Sequence, residues 1–283
     1  MLDPVQISPL RLSDVEAAFN LGFVEGWNQT KEDWLRLLKH QPDGCFGAYN
    51  EGRLVGTVAT AIYGSELAWV GMMLVERECR GSGIGRKLML TALEYAKARV
   101  GTIKLDATPA GRTLYKTLGF VPEAGIERWE KCGTPPQVGA DSVVVDTTKV
   151  NEICKIDRQS FGADRTAMLK LLSHQSCAQP VIVNTDGNAC GYAMARPGSR
   201  AIYVGPIVST NLLRRSSLLD SMVGQFPGRS IYVDLYKGSS ASSDILSAKG
   251  FVKQRDLTRM YWGRTSRAGL SPSIFAIAGP EIG

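Results

Sequence analysis

Apolar residues along this chain change period several times, and each change marks an element. Val5–Arg11, Gly44–Asn50, Leu54–Tyr63 and Trp69–Val75 are short runs rich in apolar, β-branched and aromatic residues, and read as strands. The turn Asn50-Glu51-Gly52-Arg53 joins two of them as an antiparallel hairpin. From Ile84 the period becomes helical, with Ile84, Leu88, Ala92 and Tyr95 on one face. Earlier in the chain, Ser13-Asp14-Val15-Glu16 has the spacing of a capping box and opens a helix through about Phe23. Thr30 with Asp33 caps the next helix, Lys31–His40. An apolar strand from Ile103, a Pro/Gly turn, a short helix stopped by Gly119 and a strand from Phe120 complete an α/β unit ending near Lys131. Gly133-Thr134-Pro135-Pro136-Gln137 reads as a linker.

The second half repeats the first. Leu37–Gln41 recurs as Leu171–Gln175, Val70–Val75 as Val204–Ser209, Leu105-Asp106 as Val233-Asp234, and Gly119-Phe120-Val121 as Gly250-Phe251-Val252. The matches keep one order and a spacing of about 130 residues, so the chain reads as a tandem duplication with its second copy at 138–264. Beyond it, Ser273–Ile282 is too apolar for a solvated tail. Residues 265–283 are expected to pack as an extra strand or plug near the interface of the two copies.

Between the strand ending at Val75 and the helix of Ile84 lies Arg80-Gly81-Ser82-Gly83-Ile84-Gly85. Glycines let a backbone approach a phosphate, and the free N–H groups and dipole of the helix start can bind its oxygens. Arg80 and Arg86 add positive charge on either side. A dinucleotide GxGxxG is excluded because Arg86 stands where its third glycine would be, and a Walker loop because no Gly-Lys-Ser/Thr follows.

The remaining pattern, Arg-x-x-Gly-x-Gly after a strand, resembles the cofactor signature of the GNAT superfamily of N-acetyltransferases. The resemblance extends to Tyr115, four residues before Gly119-Phe120. It also includes Gly26–Thr30 and Leu105–Pro109, which resemble the N-terminal domain of two-domain GNAT proteins. It implies α/β (α+β) architecture, with tandem GNAT folds that are each a mixed, mostly antiparallel sheet flanked by helices. Residues 1–133 would be an acetyl-CoA-binding domain. Arg80, Gly81, Ser82, Gly83, Ile84, Gly85 and Arg86 would hold the pyrophosphate, and Met73, Leu74 and Val75 the pantetheine arm. Thr108 stands where many relatives carry a cofactor-contacting asparagine. Tyr115 would protonate the departing CoA thiolate, and a backbone N–H near Met73 would steady the negative charge that develops during transfer.

The second copy resembles the degenerate C-terminal domain of such proteins through Ser160–Arg165, Ala195–Gly198 and Tyr203–Pro206. Thr210–Ser216, which replaces the loop, has no glycine, and Leu246 stands in place of Tyr115.

Composition narrows the function further. With 44% apolar and 21% charged residues over 283 positions, the chain is globular rather than disordered. No apolar run reaches the length of a membrane span and no leader pattern opens the chain, so a cytoplasmic protein without membrane partners is expected. The six scattered cysteines form no CxxC and fit reduced thiols without a metal site. The net charge of +6 lacks a basic block or an aromatic-interleaved stripe, so it is assigned to a polyanionic cosubstrate rather than to nucleic acid.

The acceptor is expected to be a small-molecule amine bordered by Trp27, Asn28 and Gln29, although Trp27 also suits a packing anchor with the amides capping a helix. Asp164, Arg165 and Arg196 are expected on solvated loops, and His40 and His174 at helix ends. Glu25 and Glu66 are the nearest carboxylates for a base, and Cys79 offers a less favourable covalent route. Direct acetyl transfer is the preferred chemistry. An acyl-CoA-binding sensor would keep the loop and have no need of Tyr115. Oligomeric state is left open.

Overall fold

The computed structural model describes residues 5–133, 147–185, 188–238 and 240–283. The first half runs β1 (Gln6–Pro9), α1 (Val15–Val24), α2 (Lys31–His40), β2 (Cys45–Asn50), β3 (Arg53–Tyr63), β4 (Leu67–Val75), α3 (Ile84–Lys97), β5 (Thr102–Ala107), α4 (Pro109–Thr117) and β6 (Val121–Lys131). The second half runs α5 (Thr147–Phe161), α6 (Thr166–His174), β7 (Val181–Thr185), β8 (Asn188–Arg196), β9 (Ile202–Ser209), α7 (Arg215–Val223), β10 (Ile231–Tyr236), α8 (Ser240–Ala248), β11 (Val252–Gly263) and β12 (Ile274–Ala276). From α1 and α5 onward the two orders coincide, and the repeated strings fall on corresponding elements. The expected linker from residue 134 on, and the expected start of the second copy at 138, lie outside the described residues.

Local signals account for several boundaries. Asp33 Oδ2 accepts from the Thr30 N–H (2.6 Å) and the Thr30 hydroxyl from the Asp33 N–H (3.4 Å), the reciprocal cap expected for α2. The first helix starts differently from its expectation. Asp14, not Glu16, reaches back, accepting from the Arg11 N–H at 2.8 Å, and a single 3-10 turn at Leu12–Asp14 precedes α1. Asp14 is also tied to the Tyr49 hydroxyl at 2.8 Å, which fixes the helix start against β2.

His40 closes α2 with its Nε2 3.1 Å from the Ile62 carbonyl, and burial pushes its pKa below the usual 6.5. A base whose folded pKa is depressed stabilises the fold fully above the unfolded value and loses that contribution as pH falls through 6.5 toward the lower folded value. The melting temperature should therefore fall less steeply over that window in His40→Gln than in the parent chain.

One twelve-stranded sheet contains both halves, in the order β1-β2-β3-β4-β5-β11-β6-β10-β9-β8-β7, with β12 beside β9. The last strands are exchanged. β5 pairs with β11 of the second copy, while β6 leaves its own half to lie between β11 and β10. This corrects the picture of a self-contained unit ending near Lys131, because each copy is closed by the other's final strand.

Two buried ion pairs mark the exchange. Asp106 on β5 is gripped by Arg259 on β11 (2.8 and 2.8 Å), and Asp234 on β10 by Arg128 on β6 (2.8 and 2.7 Å). In each case the partners face one another directly across the strand pair. Removing one member of such a pair would leave a buried charge uncompensated, which costs about 3–5 kcal/mol.

The core follows the same logic. Leu88, Met89, Ala92 and Ala96 of α3 pack on Val58, Val70, Ile103 and Leu105 of the first-half sheet. A second core is shared by both copies, bringing Trp34 and Leu37 of α2 together with Ile153 of α5 and Leu169 and Leu172 of α6.

The C-terminal segment threads between the copies. β12 pairs antiparallel with β9, and the Ile277 N–H donates to the Asp234 carbonyl on β10 (3.0 Å). The segment thus enters the space between β9 and β10, which share only the register pairs Ile231–Ile202 and Tyr232–Tyr203. The corresponding β4 and β5 are likewise paired only from Leu67 to Trp69. The chain ahead of Gly283 then crosses to the first copy, where Trp69 Nε1 donates to the Pro280 carbonyl (3.0 Å) and the Tyr63 hydroxyl to that of Ile282 (2.8 Å). A short extra strand, β12, is present and pairs with β9 of the second copy.

Candidate active site

β4 carries a kink where the site begins. Its pairing with β3 slips between Thr57–Leu74 and Ala59–Gly71, which places a bulge at Met72 and Met73. Met72 takes φ +53°, a conformation that costs a residue with a side chain about 1–3 kcal/mol, and the Thr57 hydroxyl holds its carbonyl at 2.8 Å. Past Trp69, β4 has no register partner on β5.

The chain then turns through Arg80 and the glycines. Gly81 and Gly83 have φ +83° and +84°, and a Cβ on either would meet nothing within 4 Å. The glycines are therefore required by backbone shape, and the space above them is open. Ile84 begins α3, leaving the N–H groups of Ile84, Gly85 and Arg86 without intrahelical partners. At Gly85 a Cβ would come within 2.8 Å of Met73 Cε, so its absence lets α3 close on β4.

Arg80 donates through Nε to the Val75 carbonyl (2.8 Å) and lies 3.0 Å from Glu25, which Arg77 also pairs at 2.7 Å. Arg86 is exposed on the first turn of α3, and the Ser82 hydroxyl donates to the Cys79 carbonyl at 2.6 Å. Leu74 and Val75 continue β4 into this turn. An anion with several oxygens fits this donor set and open backbone.

From the loop, β4 leads to a cavity of about 90 Å³ walled by both halves. Val70–Met73, Leu105, Asp106, Thr108 and Tyr115 line it. Trp27, Gln29, Arg255, Leu257, Pro280 and Glu281 line it as well. Thr108 is the N-cap of α4, its hydroxyl accepting from the Gly111 N–H at 3.2 Å. Tyr115 is buried on that helix, its ring edge-on to Phe120 at 6.1 Å between centroids. Burial pushes its hydroxyl pKa up to about 12, so it is protonated at neutral pH and suited to donating a proton. Gly111 makes room for the ring, since a Cβ there would lie 2.9 Å from it.

On the acceptor side the structure separates the three expected neighbours. Trp27 packs over Gly22 and lines the cavity, and Gln29 Nε2 donates to Glu281 Oε2 at 2.9 Å. Asn28 is a correction. It is buried against the second copy, donating to the Ala201 carbonyl (3.0 Å) and accepting from the Arg200 and Ala201 N–H groups (3.0 and 2.9 Å). Its amide is consumed in clamping the two halves and does not line the cavity.

The other charged candidates divide. Asp164 is exposed and caps α6, accepting from the Thr166 N–H at 3.0 Å. Arg165 and Arg196, expected in solvent, are buried. Arg165 grips Asp157 (2.9 and 2.8 Å), while Arg196 holds Asp33 (3.2 Å), the Ala278 carbonyl (2.6 Å) and Glu281. Glu25 is no free base, because hydrogen bonds and charge from Arg77 and Arg80 hold its carboxyl below the usual range. Glu66 is an exposed turn residue between β3 and β4. Burial, with Glu76 beside it, pushes the Cys79 thiol up, which disfavours the thiolate a covalent route needs.

Sequence reasoning missed Glu281, Arg255 and Asp106 as cavity residues. The first carried a visible signal, a lone carboxylate at the end of an apolar stretch. Among the described residues no group of three or more His, Cys, Asp and Glu side chains is placed to hold a metal, and no helix is long and apolar enough to cross a membrane.

Comparison with known proteins bears on both halves. The Acetyltransferase (GNAT) family model matches residues 12–120, and an Acetyltransferase (GNAT) domain model matches residues 153–276. Holothin acyltransferase of Pseudoalteromonas sp. (strain SANK 73390) is 26% identical over 278 residues, covering 97% of this chain and 93% of that protein. An uncharacterized N-acetyltransferase of Archaeoglobus fulgidus is 34% identical over 104 residues, 35% of this chain and 69% of that protein. The crystal structure of a candidate acetyltransferase from Pyrococcus horikoshii superposes with a TM-score of 0.82 at 22% identity, over 100% of this chain and 97% of that one, and shares its fold.

Proposed function

Because the chain belongs to the GNAT superfamily of N-acetyltransferases, as a tandem of two GNAT domains and an acyltransferase, we propose that it transfers the acetyl group of acetyl-CoA directly to the amine of a small molecule. The observation that carries this reading is the continuity of the site. An open, doubly left-handed glycine loop at a helix start leads along the bulged edge of β4 into a cavity walled by a buried, protonated tyrosine.

In this reading the N–H groups of Gly81–Arg86 and the charges of Arg80 and Arg86 bind the pyrophosphate, with Ser82 alongside. The edge of β4 at Met73, Leu74 and Val75 hydrogen-bonds the pantetheine amides, and Thr108 borders the thiol end. Acetyl-CoA supplies an activated acetyl thioester. The bulge aims the backbone N–H near Met73 at the thioester oxygen, where it steadies negative charge as the amine adds. Tyr115 gives its proton to the sulfur as the C–S bond breaks. Trp27 and Gln29 position the acceptor. Both cavity carboxylates, Asp106 and Glu281, are already paired with arginines, so water takes the proton the amine loses. The cavity suits a small amine-bearing group. Six free cysteines and the lack of a membrane-crossing helix among the described residues support a cytoplasmic setting.

The test is thiol release from acetyl-CoA by the purified protein, with and without a pool of small amines and amino acids. Release that depends on the pool is the expected result, together with a rise in melting temperature on adding acetyl-CoA. Absence of that rise would remove the cofactor assignment and the reading with it.

A further inference from the structure

Among the described residues, Arg255 is a charge that the fold leaves unanswered at the cavity. Each of the five buried arginines among the described residues meets a carboxylate. Arg255 sits on the same strand as Arg259, in the wall of the cavity that holds Tyr115, and no described residue pairs with it. Its Nε is buried and makes no hydrogen bond. Directly across the strand pair it faces a second arginine, Arg128, whose charge is already answered by Asp234. Burial, with Arg128 beside it, pushes the Arg255 pKa down to about 10, so the site works against the cation it contains. A guanidinium held in this way costs stability unless something returns to it both charge and hydrogen bonds.

We infer that Arg255 recognises an anionic group on the acceptor, and that the acceptor is an amine carrying a carboxylate. The inference rests on the transferase reading and deepens it. Phosphate on the bound cosubstrate is assigned to the glycine loop, so the anion that reaches Arg255 belongs to the other substrate. A guanidinium presents parallel N–H donors matched to a carboxylate. With the anion on Arg255, the acceptor's amine is left toward Tyr115 and the bulge of β4, where transfer takes place.

The test uses the full chain saturated with coenzyme A, so that the glycine loop is already filled. It is titrated with β-alanine, 2-aminoethylphosphonate and ethylamine, which share an aminoethyl group and differ in carboxylate, phosphonate or no anion. Phenylalanine and phenethylamine repeat the comparison at larger size. The carboxylates are expected to raise the melting temperature and the amines without an anionic group to leave it unchanged. Arg255→Gln is expected to weaken carboxylate binding about 10- to 100-fold, the loss of hydrogen bonds to a charged group. The ligand-free variant should melt no lower than the parent, because the substitution removes an uncompensated charge.

Preferential binding of the phosphonate would keep Arg255 as an anion site and overturn the carboxylate. Equal binding of amines with and without an anionic group, no shift with any probe that carries one, or undiminished binding by Arg255→Gln would overturn the whole inference. The rise in melting temperature with acetyl-CoA, measured on the same variant, reports separately on the transferase reading.

Discussion

Tyr115→Phe is expected to lower turnover by about 100- to 10,000-fold, the range associated with loss of a positioned general acid. The rise in melting temperature with acetyl-CoA should be unchanged. The two readouts separate because Tyr115 lines the cavity whereas the loop of Gly81 and Gly83 lies beyond the C-terminal end of β4 and does not line it. Phenylalanine keeps the ring that packs on Phe120 and fills the space left by Gly111, so stability should shift little. Only the hydroxyl is removed, and among the described residues nothing hydrogen-bonds it. Near-parental turnover would dismiss the acid role. If the parent chain bound acetyl-CoA and released no thiol with any amine, the sensor reading would take its place.

Deleting residues 271–283 should abolish the fold, not merely the activity. Ile274, Phe275, Ile277 and Ile282 are all buried, and each contributes roughly 1.5–3 kcal/mol by leaving water. Together they approach the whole margin of about 5–15 kcal/mol by which a domain is stable. The deletion would also take Glu281 and the Ala278 carbonyl from buried Arg196, and the Gly283 carbonyl from buried Arg165. The space between β9 and β10 would open, exposing the edge of β9. The expected outcome is insoluble or molten protein by circular dichroism and dye binding. A cooperative melt within a few degrees of the parent would contradict the wedge role. Glu281→Gln is the milder companion. It keeps the buried apolar residues of the segment and removes only a carboxylate from buried Arg196, so its melting temperature should fall, and by less than in the deletion.

These two experiments address parts of the molecule that differ in how far they could be read from the residues alone. Tyr115, the glycine loop and the Thr30–Asp33 cap depend on residues within a few positions of one another, where backbone geometry and spacing leave few alternatives. The duplication was equally legible, because a repeated order of short strings needs no knowledge of contacts. The capping residue of α1 was misassigned between two carboxylates in neighbouring positions, Asp14 and Glu16. The bond from the Tyr49 hydroxyl, thirty-five residues away, helps select Asp14.

Long-range pairing lay beyond such reasoning. Alternation says which face of a strand is buried and not which strand lies beside it. β6 and β11 descend from one repeated element and carry Arg128 and Arg259 at matching places, so either could have answered Asp106 or Asp234. Each copy carries an aspartate and an arginine at matching places, and the folded sheet alone selected the crossed partners. The same holds for Asn28, whose amide is spent on backbone 172 and 173 residues away, and for the buried arginines expected in water. Local chemistry was written in the chain. The acceptor side of the cavity, built from Gln29, Arg255 and Glu281, came into being only when segments more than 200 residues apart were packed together.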